Sequence, residues 1–498
     1  MVHLLSEQAL QALRPAQEHA FRSPVPTQMI SNGEFTPLPQ SAQQRRVEAR
    51  IKELATLYGR KQGMNRRRFL STASGMATAF LAMNDVFGPL FNVSTAEARE
   101  PDVAKARADA LSTQFVFDIQ THFVHDGFKH EELLGLGKYA SEHWNKDLKP
   151  NQLTLAYYKF ENYVRQIFLN SDTKVALLSG APFDDPSWWL LPNEQIADAV
   201  EAVNRMAGTR RMLGHFVFTP GQKGWMEAVD KALETPRHQA WKGYTIGDPL
   251  SAKTQFPWRL DDEKLMYPFY EKAVKANIRQ IAIHKGLMPA DYEKSWAKVW
   301  EYNTHWDIAK AAKDWPQLNF VMYHGCLQPF LESPDRVLAE FDKTGEIKWA
   351  THLARIPDEA GVSNVYAELG TTFATCATAS PRFAAALLGS YIKGMGADHV
   401  VWGTDSLWYG SPQWQIEAFR RLEIPEDMQK KHGFKPLGAA DGFVKSTIFG
   451  HNAARLFGMN LKAEADGFSL DRMAQLKRQY ASPEGMRNNA AYGYVAKG

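Results

Sequence analysis

The sequence contains only two cysteines, Cys326 and Cys376, and no Cys-x-x-Cys pair. This excludes a disulfide framework and a structural zinc knuckle, and it favours two free thiols over a single bridge. The apolar runs are too short for a membrane-spanning helix, which needs about 20 residues. Positive charge is concentrated in residues 44–68, although the whole chain carries only +3. The rest of the chain is therefore net negative and, without Cys/His finger spacing, gives no indication of nucleic-acid binding.

The first hundred residues divide into two regions. Residues 1–63 are polar and basic, with one helix predicted over about Gln43–Tyr58. Residues 64–98 begin with Arg66–Leu70, continue as an apolar segment to about Met83, and contain the small-x-small sequence Ala96–Ala98. This order resembles a twin-arginine export signal. We therefore expect a periplasmic or otherwise exported protein that uses the twin-arginine machinery; the alternative is a cytoplasmic protein in which the segment is an ordinary helix.

Residues 101–460 alternate short β-branched or apolar runs with helix-like stretches. The predicted strands are Phe115–His122, Lys174–Ser179, Met212–Phe218, Ala240–Ile246, Ile278–His284, Leu318–His324, Asn364–Leu369 and His399–Asp405. The predicted helices include Asn193–Met206, Lys264–Ala276, Ser295–Lys313, Pro334–Phe341 and Ser380–Lys393. This alternation predicts a (β/α)₈ TIM barrel with long βα-loop insertions, followed by an extension over residues 461–498. An open doubly wound sheet is the alternative, but Gly-x-Gly-x-x-Gly is absent after the first strand.

Several predicted strands end on a polar residue. In FVFDIQTHFVHDG the side chains of Asp118, Gln120 and His122 are expected to share one face, because side chains alternate along a strand. His284, His324 and Asp405 end the fifth, sixth and eighth strands. Since a barrel assembles its chemistry at the carboxyl ends of its strands, these residues predict one site.

This ordered set resembles the amidohydrolase superfamily, and more closely the amidohydrolase-related group that includes aminocarboxymuconate-semialdehyde decarboxylase. That group opens with Asp-x-His-x-His, then supplies a metal-binding His, a catalytic His and a metal-binding Asp from strands five, six and eight. The matching segments here are Asp118–His122, His284, His324, Gly403–Asp405 and Asn452–Phe457. The resemblance implies metal binding by His122, His284 and Asp405, catalysis by His324 and Asp405, and one divalent ion. Zinc is expected, with manganese or iron as alternatives.

Gln120 departs from the family pattern, which has a metal-binding His at this position. Three interpretations remain: His122, His284 and Asp405 hold the ion alone, the Gln120 oxygen is a further weak ligand, or the metal is lost. The first is favoured, because three protein ligands plus water form an ordinary catalytic zinc site. Lys242, on the predicted fourth strand, is placed where binuclear superfamily members carry a carbamylated lysine. The closer group does not use one, so a strand-end charge is the ordinary interpretation.

The resemblance implies a metal-dependent hydrolase in which activated water attacks an amide, ester or lactone-type bond. The first alternative is a non-oxidative decarboxylase of an aromatic or unsaturated carboxylate, and the second is a metal-free, non-catalytic barrel that binds a small ligand. Trp408 is a candidate substrate contact, and Lys285 and Arg355 could pair a substrate carboxylate. A site poor in arginine would favour the hydrolase. The expected partner is a small molecule, and a homodimer is the default assembly.

Overall fold

The computed structural model describes residues 23–33, 35–143, 154–249, 251–329 and 332–480. In this part of the chain the strands are β1 Phe117–Thr121, β2 Val175–Leu178, β3 Met212–Val217, β4 Ala240–Tyr244, β5 Gln280–His284, β6 Asn319–Tyr323, β7 Val365–Glu368 and β8 Val400–Val401. They form one parallel sheet in sequence order. The predicted TIM barrel is confirmed, and an open doubly wound sheet is excluded by the order.

The barrel closes between its first and last strands. Ile119 donates its backbone N–H to Trp402 at 3.0 Å, and Asp405 donates its own to Gln120 at 2.9 Å. After the carboxyl end of β8, Ser406 forms one further parallel bridge with Thr121 of β1. Closure brings the carboxyl ends of the first and eighth strands together at one rim of the barrel.

The first strand contains a pairing irregularity. The register between β1 and β2 shifts between Asp118 and Thr121, as it does at a β-bulge. The face predicted for Asp118, Gln120 and His122 stays a prediction. Asp118 itself is fully buried. Its carboxylate accepts bonds from the Thr404 backbone N–H at 3.1 Å and from the Thr404 hydroxyl, so it braces the barrel seam.

Helices precede, surround and follow the strands. Before the barrel lie α1 Ala42–Lys61, α2 Arg66–Leu70, α3 Ala73–Phe87, α4 Thr95–Arg99 and α5 Pro101–Leu111. Around it lie α6 Gly135–His143, α7 Phe160–Val164, α8 Asn193–Ala207, α9 Trp225–Glu234, α10 Tyr267–Lys275, α11 Tyr292–Ser295, α12 Ile308–Asp314, α13 Pro334–Thr344, α14 Ala350–Ala360, α15 Gly370–Cys376 and α16 Pro381–Met395. After β8 come α17 Gln413–Arg421, α18 Glu426–His432, α19 Phe443–Ser446, α20 Asn452–Leu456, α21 Leu461–Leu470 and α22 Arg472–Tyr480.

The helix predicted over Ser295–Lys313 is wrong. The segment contains α12 but no continuous helix, and the chain turns extended at Thr304. The reason is a tertiary bond: the Asn303 amide donates to the Gly286 carbonyl at 2.6 Å and ties this segment to the loop after β5. The other predicted helices agree with the structure to within a few residues.

The residues before the barrel form a layer packed against it. Helix α1 starts with a capping box between Ser41 and Gln44. The apolar segment of the predicted export signal is α3, and most of its side chains, including Phe80 and Met83, are buried. No helix in the described residues combines the length and apolarity that crossing a membrane requires. Export by the twin-arginine route and the homodimer stay predictions.

A buried ion network joins this layer to α17. The Arg421 guanidinium donates to the Glu97 carboxylate, with one bond of 3.0 Å, and to Glu417 at 3.2 Å. Arg107 donates to Glu417 at 2.9 Å, and Arg420 does so at 2.9 Å. Burial acts to raise the pKa of Glu417, but these guanidinium groups outweigh it and lower the pKa to about 2. Glu97, within the predicted cleavage sequence, is thus a structural partner of the barrel.

The carboxyl-terminal extension packs back on the barrel through α21 and α22. Asp471 pairs with Arg211 at 2.6 Å, and Lys477 pairs with Asp172 at 3.1 Å. The predicted helical residues 470–480 correspond to α22. Residues 481–498 of the predicted extension lie outside the described residues. Both cysteines are buried and free, as expected.

Candidate active site

His122 and Asp405 form the first side-chain pair at the rim. His122 Nδ1 lies 2.9 Å from the Ser179 carbonyl oxygen and must donate to it, because a carbonyl only accepts. Its Nε2 lies 3.2 Å from Asp405 Oδ1. Trp408 stacks on the His122 ring at 5.9 Å between centroids, so this predicted substrate contact does line the rim. Both ring nitrogens of His122 therefore face oxygen acceptors, the Ser179 carbonyl and the Asp405 carboxylate.

The Asp405 carboxylate is fully engaged by neighbouring side chains. Gln120 Nε2 donates to its Oδ1 at 3.0 Å, and the Thr371 hydroxyl donates to its Oδ2. Asp405 itself has φ +57°, a left-handed conformation that is unusual for a residue with a side chain. Gln120 therefore presents its amide nitrogen, and not its oxygen, to the carboxylate that is predicted from the sequence to be a metal ligand.

His284 and His324 form the second pair. His324 Nε2 lies 3.2 Å from His284 Nδ1, so one imidazole donates to the other. Burial lowers the pKa of both rings well below the usual value, and for His324 the second contribution is the positive charge of His284. Tyr244 stacks on His284 at 4.8 Å between centroids. The pair is therefore neutral at pH 7.

Glu368 is a site residue that the sequence reasoning missed. It ends β7, is fully buried, and accepts the His324 backbone N–H at 3.0 Å through Oε2. The Thr372 hydroxyl holds the His324 carbonyl at 2.7 Å, so both sides of the His324 peptide are fixed. The available signal was an acidic residue one position before the end of the seventh predicted strand, in a barrel where four other strand ends carry candidate site residues.

Two predicted substrate contacts are not brought to this rim. Lys285 follows β5 but pairs with Asp307 at 2.9 Å, and both side chains are buried. Arg355 lies on α14, pairs with Glu346 at 2.9 Å, and lines a cleft with Lys393 on the outer helical layer. A helical residue facing away from the barrel cannot pair a substrate held at the strand ends.

The described residues do not assemble the full ligand set that the family resemblance implies for a divalent ion. In the described residues no three or more His, Cys, Asp or Glu side chains are arranged to hold a metal. His122 Nε2 and Asp405 Oδ1 lie together at 3.2 Å, whereas His284 bonds His324 through Nδ1 and belongs to the second pair. A catalytic zinc site needs three protein donors. The metal-ligand roles of His122, His284, Asp405 and Gln120 stay predictions.

Gln120→His is expected to create a metal site, because it adds a third donor beside His122 and Asp405. We expect nearly one equivalent of zinc in this variant after incubation with zinc and removal of free ion. At zinc 100-fold above its Kd, the unfolding midpoint should rise by about 3 °C. Gln120→Leu, which offers no donor, is the control. Elemental analysis that finds one equivalent already in the wild-type protein would contradict the two-donor geometry.

Comparison with known proteins places the site in a family context. The sequence profile described as Amidohydrolase matches residues 117–459. No curated protein matches the chain. Among solved structures, an uncharacterized TIM-barrel protein from Bordetella bronchiseptica shares 12% identity with a TM-score of 0.42, over 70% of this chain and 99% of that one.

Two further solved structures have names that mention a reaction. A dihydroxybenzoic acid decarboxylase from Polaromonas sp. JS666, with bound manganese and an inhibitor, shares 14% identity with a TM-score of 0.40, over 70% of this chain and 98% of that one. A putative 2-pyrone-4,6-dicarboxylic acid hydrolase from Pseudomonas putida shares 13% identity with a TM-score of 0.35, over 69% and 98%. Likeness at this level indicates no particular reaction for the chain.

Proposed function

Because the chain belongs to the amidohydrolase family, we propose that it is a hydrolase that cleaves an amide, ester or lactone-type bond of a small organic substrate. The observation that carries this proposal is the neutral His284–His324 pair at the carboxyl rim of the barrel. A neutral imidazole has a free nitrogen lone pair that can accept a proton from water, which is the task of a general base in hydrolysis.

The two imidazoles divide the proton transfer between them. In the described residues His284 Nε2 has no hydrogen-bond partner, so it is the nitrogen available to a water molecule. As the water oxygen bonds to the substrate carbonyl carbon, its proton moves to His284 Nε2, and the Nδ1 proton can pass to His324. The reverse transfer delivers a proton to the leaving nitrogen or oxygen as its bond to carbon breaks. The products are a carboxylic acid and an amine or alcohol.

The remaining rim residues hold this pair and the substrate. Glu368 and Thr372 fix the peptide of His324, and Tyr244 stacks on the ring of His284. Trp408 presents an aromatic surface beside His122, which suits a flat or apolar substrate. Positioning of this kind accounts for much of the rate of an enzyme, because reacting groups are held within contact distance.

Hydrolysis is favoured over decarboxylation by the distribution of cations. A carboxylate substrate needs a positive partner at the rim, yet Lys285 and Arg355 are each paired with acidic residues away from the two histidine pairs. Among the described residues, neither of these two cations faces the histidine pairs, which suits hydrolysis of an uncharged carbonyl group. Decarboxylation stays the alternative that the experiment below separates.

The proposal predicts acid release without carbon dioxide release. Purified protein is incubated with p-nitrophenyl acetate, aryl amides, simple lactones and hydroxybenzoates, and acid and headspace carbon dioxide are recorded in parallel. We expect hydrolysis of at least one ester, amide or lactone, with a rate about 10²-fold or more lower in His284→Gln. Carbon dioxide release from a hydroxybenzoate, or hydrolysis that His284→Gln leaves unchanged, would overturn the proposal.

A further inference from the structure

Lys285, the residue after His284, forms a buried ion pair behind the rim. Strand β5 ends at His284, so the sheet no longer restrains the backbone beyond this residue. The Lys285 ammonium group donates to the Tyr302 carbonyl at 2.7 Å and pairs with the Asp307 carboxylate at 2.9 Å. Neither side chain of the ion pair is more than 2% exposed. The residue that follows His284 is therefore tied to the segment that precedes α12.

Further bonds extend this attachment to a second loop and to the next residue. Asp307 Oδ2 accepts the Leu260 backbone N–H at 2.8 Å, and Leu260 belongs to the loop between β4 and α10. The Asn303 amide donates to the Gly286 carbonyl at 2.6 Å, and the Asn303 carbonyl accepts the Gly286 N–H at 3.3 Å. Residues 285 and 286 are thus held from two loops at once.

The loops that follow β5 and β6 are in direct contact. Leu287 donates its backbone N–H to the Leu327 carbonyl at 2.6 Å, which joins the residues three positions after His284 and His324. A Cβ at Gly286 would lie 2.7 Å from the Leu327 backbone nitrogen, so a larger residue would force the two loops apart. Leu287 has φ +56°, a left-handed conformation that costs energy for a residue with a side chain. The contact between the loops is kept despite this strain.

The loop contact bears on the distance between the two imidazoles. His284 Nδ1 and His324 Nε2 are 3.2 Å apart, and a proton can pass between them only within hydrogen-bond range. A displacement of either ring by about 1 Å would break this bond, and misplacement on that scale lowers rates by about 10²-fold. The Lys285–Asp307 pair therefore acts on the histidines through the backbone, without touching either ring.

We propose that the Lys285–Asp307 ion pair is a positioning pair that holds His284 in place against His324. The inference rests on the proposed function, because it assigns the pair a role in proton transfer at that site. A buried ion pair adds little net stability over uncharged side chains of similar volume, because both charges lose their water. An ion pair does supply a defined geometry, and that is what the chain needs where β5 ends.

The test removes both charges at once in the full-length protein. Lys285→Met/Asp307→Asn keeps the volume of both side chains and leaves an oxygen to accept the Leu260 N–H. We expect its unfolding midpoint to stay within about 2 °C of wild type, whereas Lys285→Met alone should lower the midpoint by about 3–5 °C, because Asp307 is then a buried charge without its partner. For the active probe, kcat of the double variant should fall by about 10²-fold and KM should change less than about threefold, because the pair is buried away from the rim.

Arg211→Met/Asp471→Asn is the matched control. This ion pair is similarly buried, with a bond of 2.6 Å, but it joins the residue before β3 to the residue before α22, at the amino end of the strands. Its loss should leave kcat within about twofold of wild type. Hydrogen–deuterium exchange gives a second readout that needs no substrate. Residues 285–288 should exchange about 10-fold faster in Lys285→Met/Asp307→Asn and at the wild-type rate in the control.

The outcomes distinguish this inference from the proposed function. Should no probe be hydrolysed, the proposed function fails, and exchange at residues 285–288 decides the attachment: faster exchange supports it and unchanged exchange overturns it. With an active probe, an unchanged kcat in Lys285→Met/Asp307→Asn overturns the inference, and so does an equal loss of kcat in the control. A double variant that does not fold overturns it as well, because the ion pair would then be a requirement of the fold.

Discussion

Replacing His324 by Gln is expected to lower kcat/KM for the active probe by about 10²–10⁴-fold, the usual contribution of a general acid–base group. His324 is the partner through which His284 passes a proton, at 3.2 Å. Glutamine keeps a polar side chain of similar size but cannot accept and release a proton at neutral pH. Steady-state kinetics on the probe identified by the screen measures the effect.

The control for this variant is His399→Gln. His399 precedes β8 at the opposite end of the barrel, and its Nε2 bonds the Ser363 carbonyl at 3.0 Å. Its loss should leave kcat/KM unchanged within about twofold, because it touches no group that moves a proton. Equal losses in both variants would show a general effect of histidine removal and contradict the assigned role.

The same histidine pair predicts the pH dependence of the enzyme. Burial lowers both pKa values well below 6.5, so the pair is neutral at pH 7 and protonates only in more acidic solution. Activity should therefore be flat near neutral pH and fall on acidification. Stability should also decrease on acidification. Below about pH 6.5 the unfolded histidines bind protons more readily than the folded ones do, so the free energy of unfolding decreases as the pH is lowered. A pH–rate profile and a pH series of unfolding curves test both statements.

Replacing Arg421 by Ala is expected to lower the free energy of unfolding by about 3–5 kcal/mol, the range for breaking a buried ion pair from one side. Arg421 is 2% exposed and binds both Glu97 and Glu417. Its removal leaves two buried carboxylates short of a partner and loosens the attachment of α4 to α17. Denaturant unfolding compared with Arg205→Ala measures the effect.

Arg205 suits the comparison because it pairs with Glu201 at 3.0 Å on an exposed helix face, with 72% of its side chain exposed. Exposed pairs of this kind contribute at most about 1 kcal/mol. The Arg421 effect should also depend on pH. The pKa of Glu417 is lowered to about 2, so the stabilisation it provides is present above about pH 4.5 and is lost as pH falls toward 2. A loss below 1 kcal/mol in Arg421→Ala would contradict the network.

The sequence predicted the barrel and the rim because both follow from local rules. Alternating strands and helices lead to a parallel sheet, and strand ends such as His284 and His324 meet at one rim whatever the loops do. The irregularity in β1 was not predictable, because it is decided by the pairing of β1 with β2. The positions of Lys285 and Arg355 were not predictable either, since their partners Asp307 and Glu346 are set by tertiary packing.

Glu368 and Gly403 are 35 positions apart in the sequence, yet each restricts what the other can become. Any side chain at Gly403 would begin in steric overlap with a Glu368 oxygen, so a larger residue there requires the buried Glu368 carboxylate, which accepts the His324 backbone N–H, to move. An evolutionary path that alters this interior must therefore shorten Glu368 before it replaces Gly403, because the reverse order passes through a steric clash. Gly403→Ala should accordingly lower the free energy of unfolding far less in a Glu368→Ala background than in the wild-type protein. The order in which the two positions can change is therefore restricted.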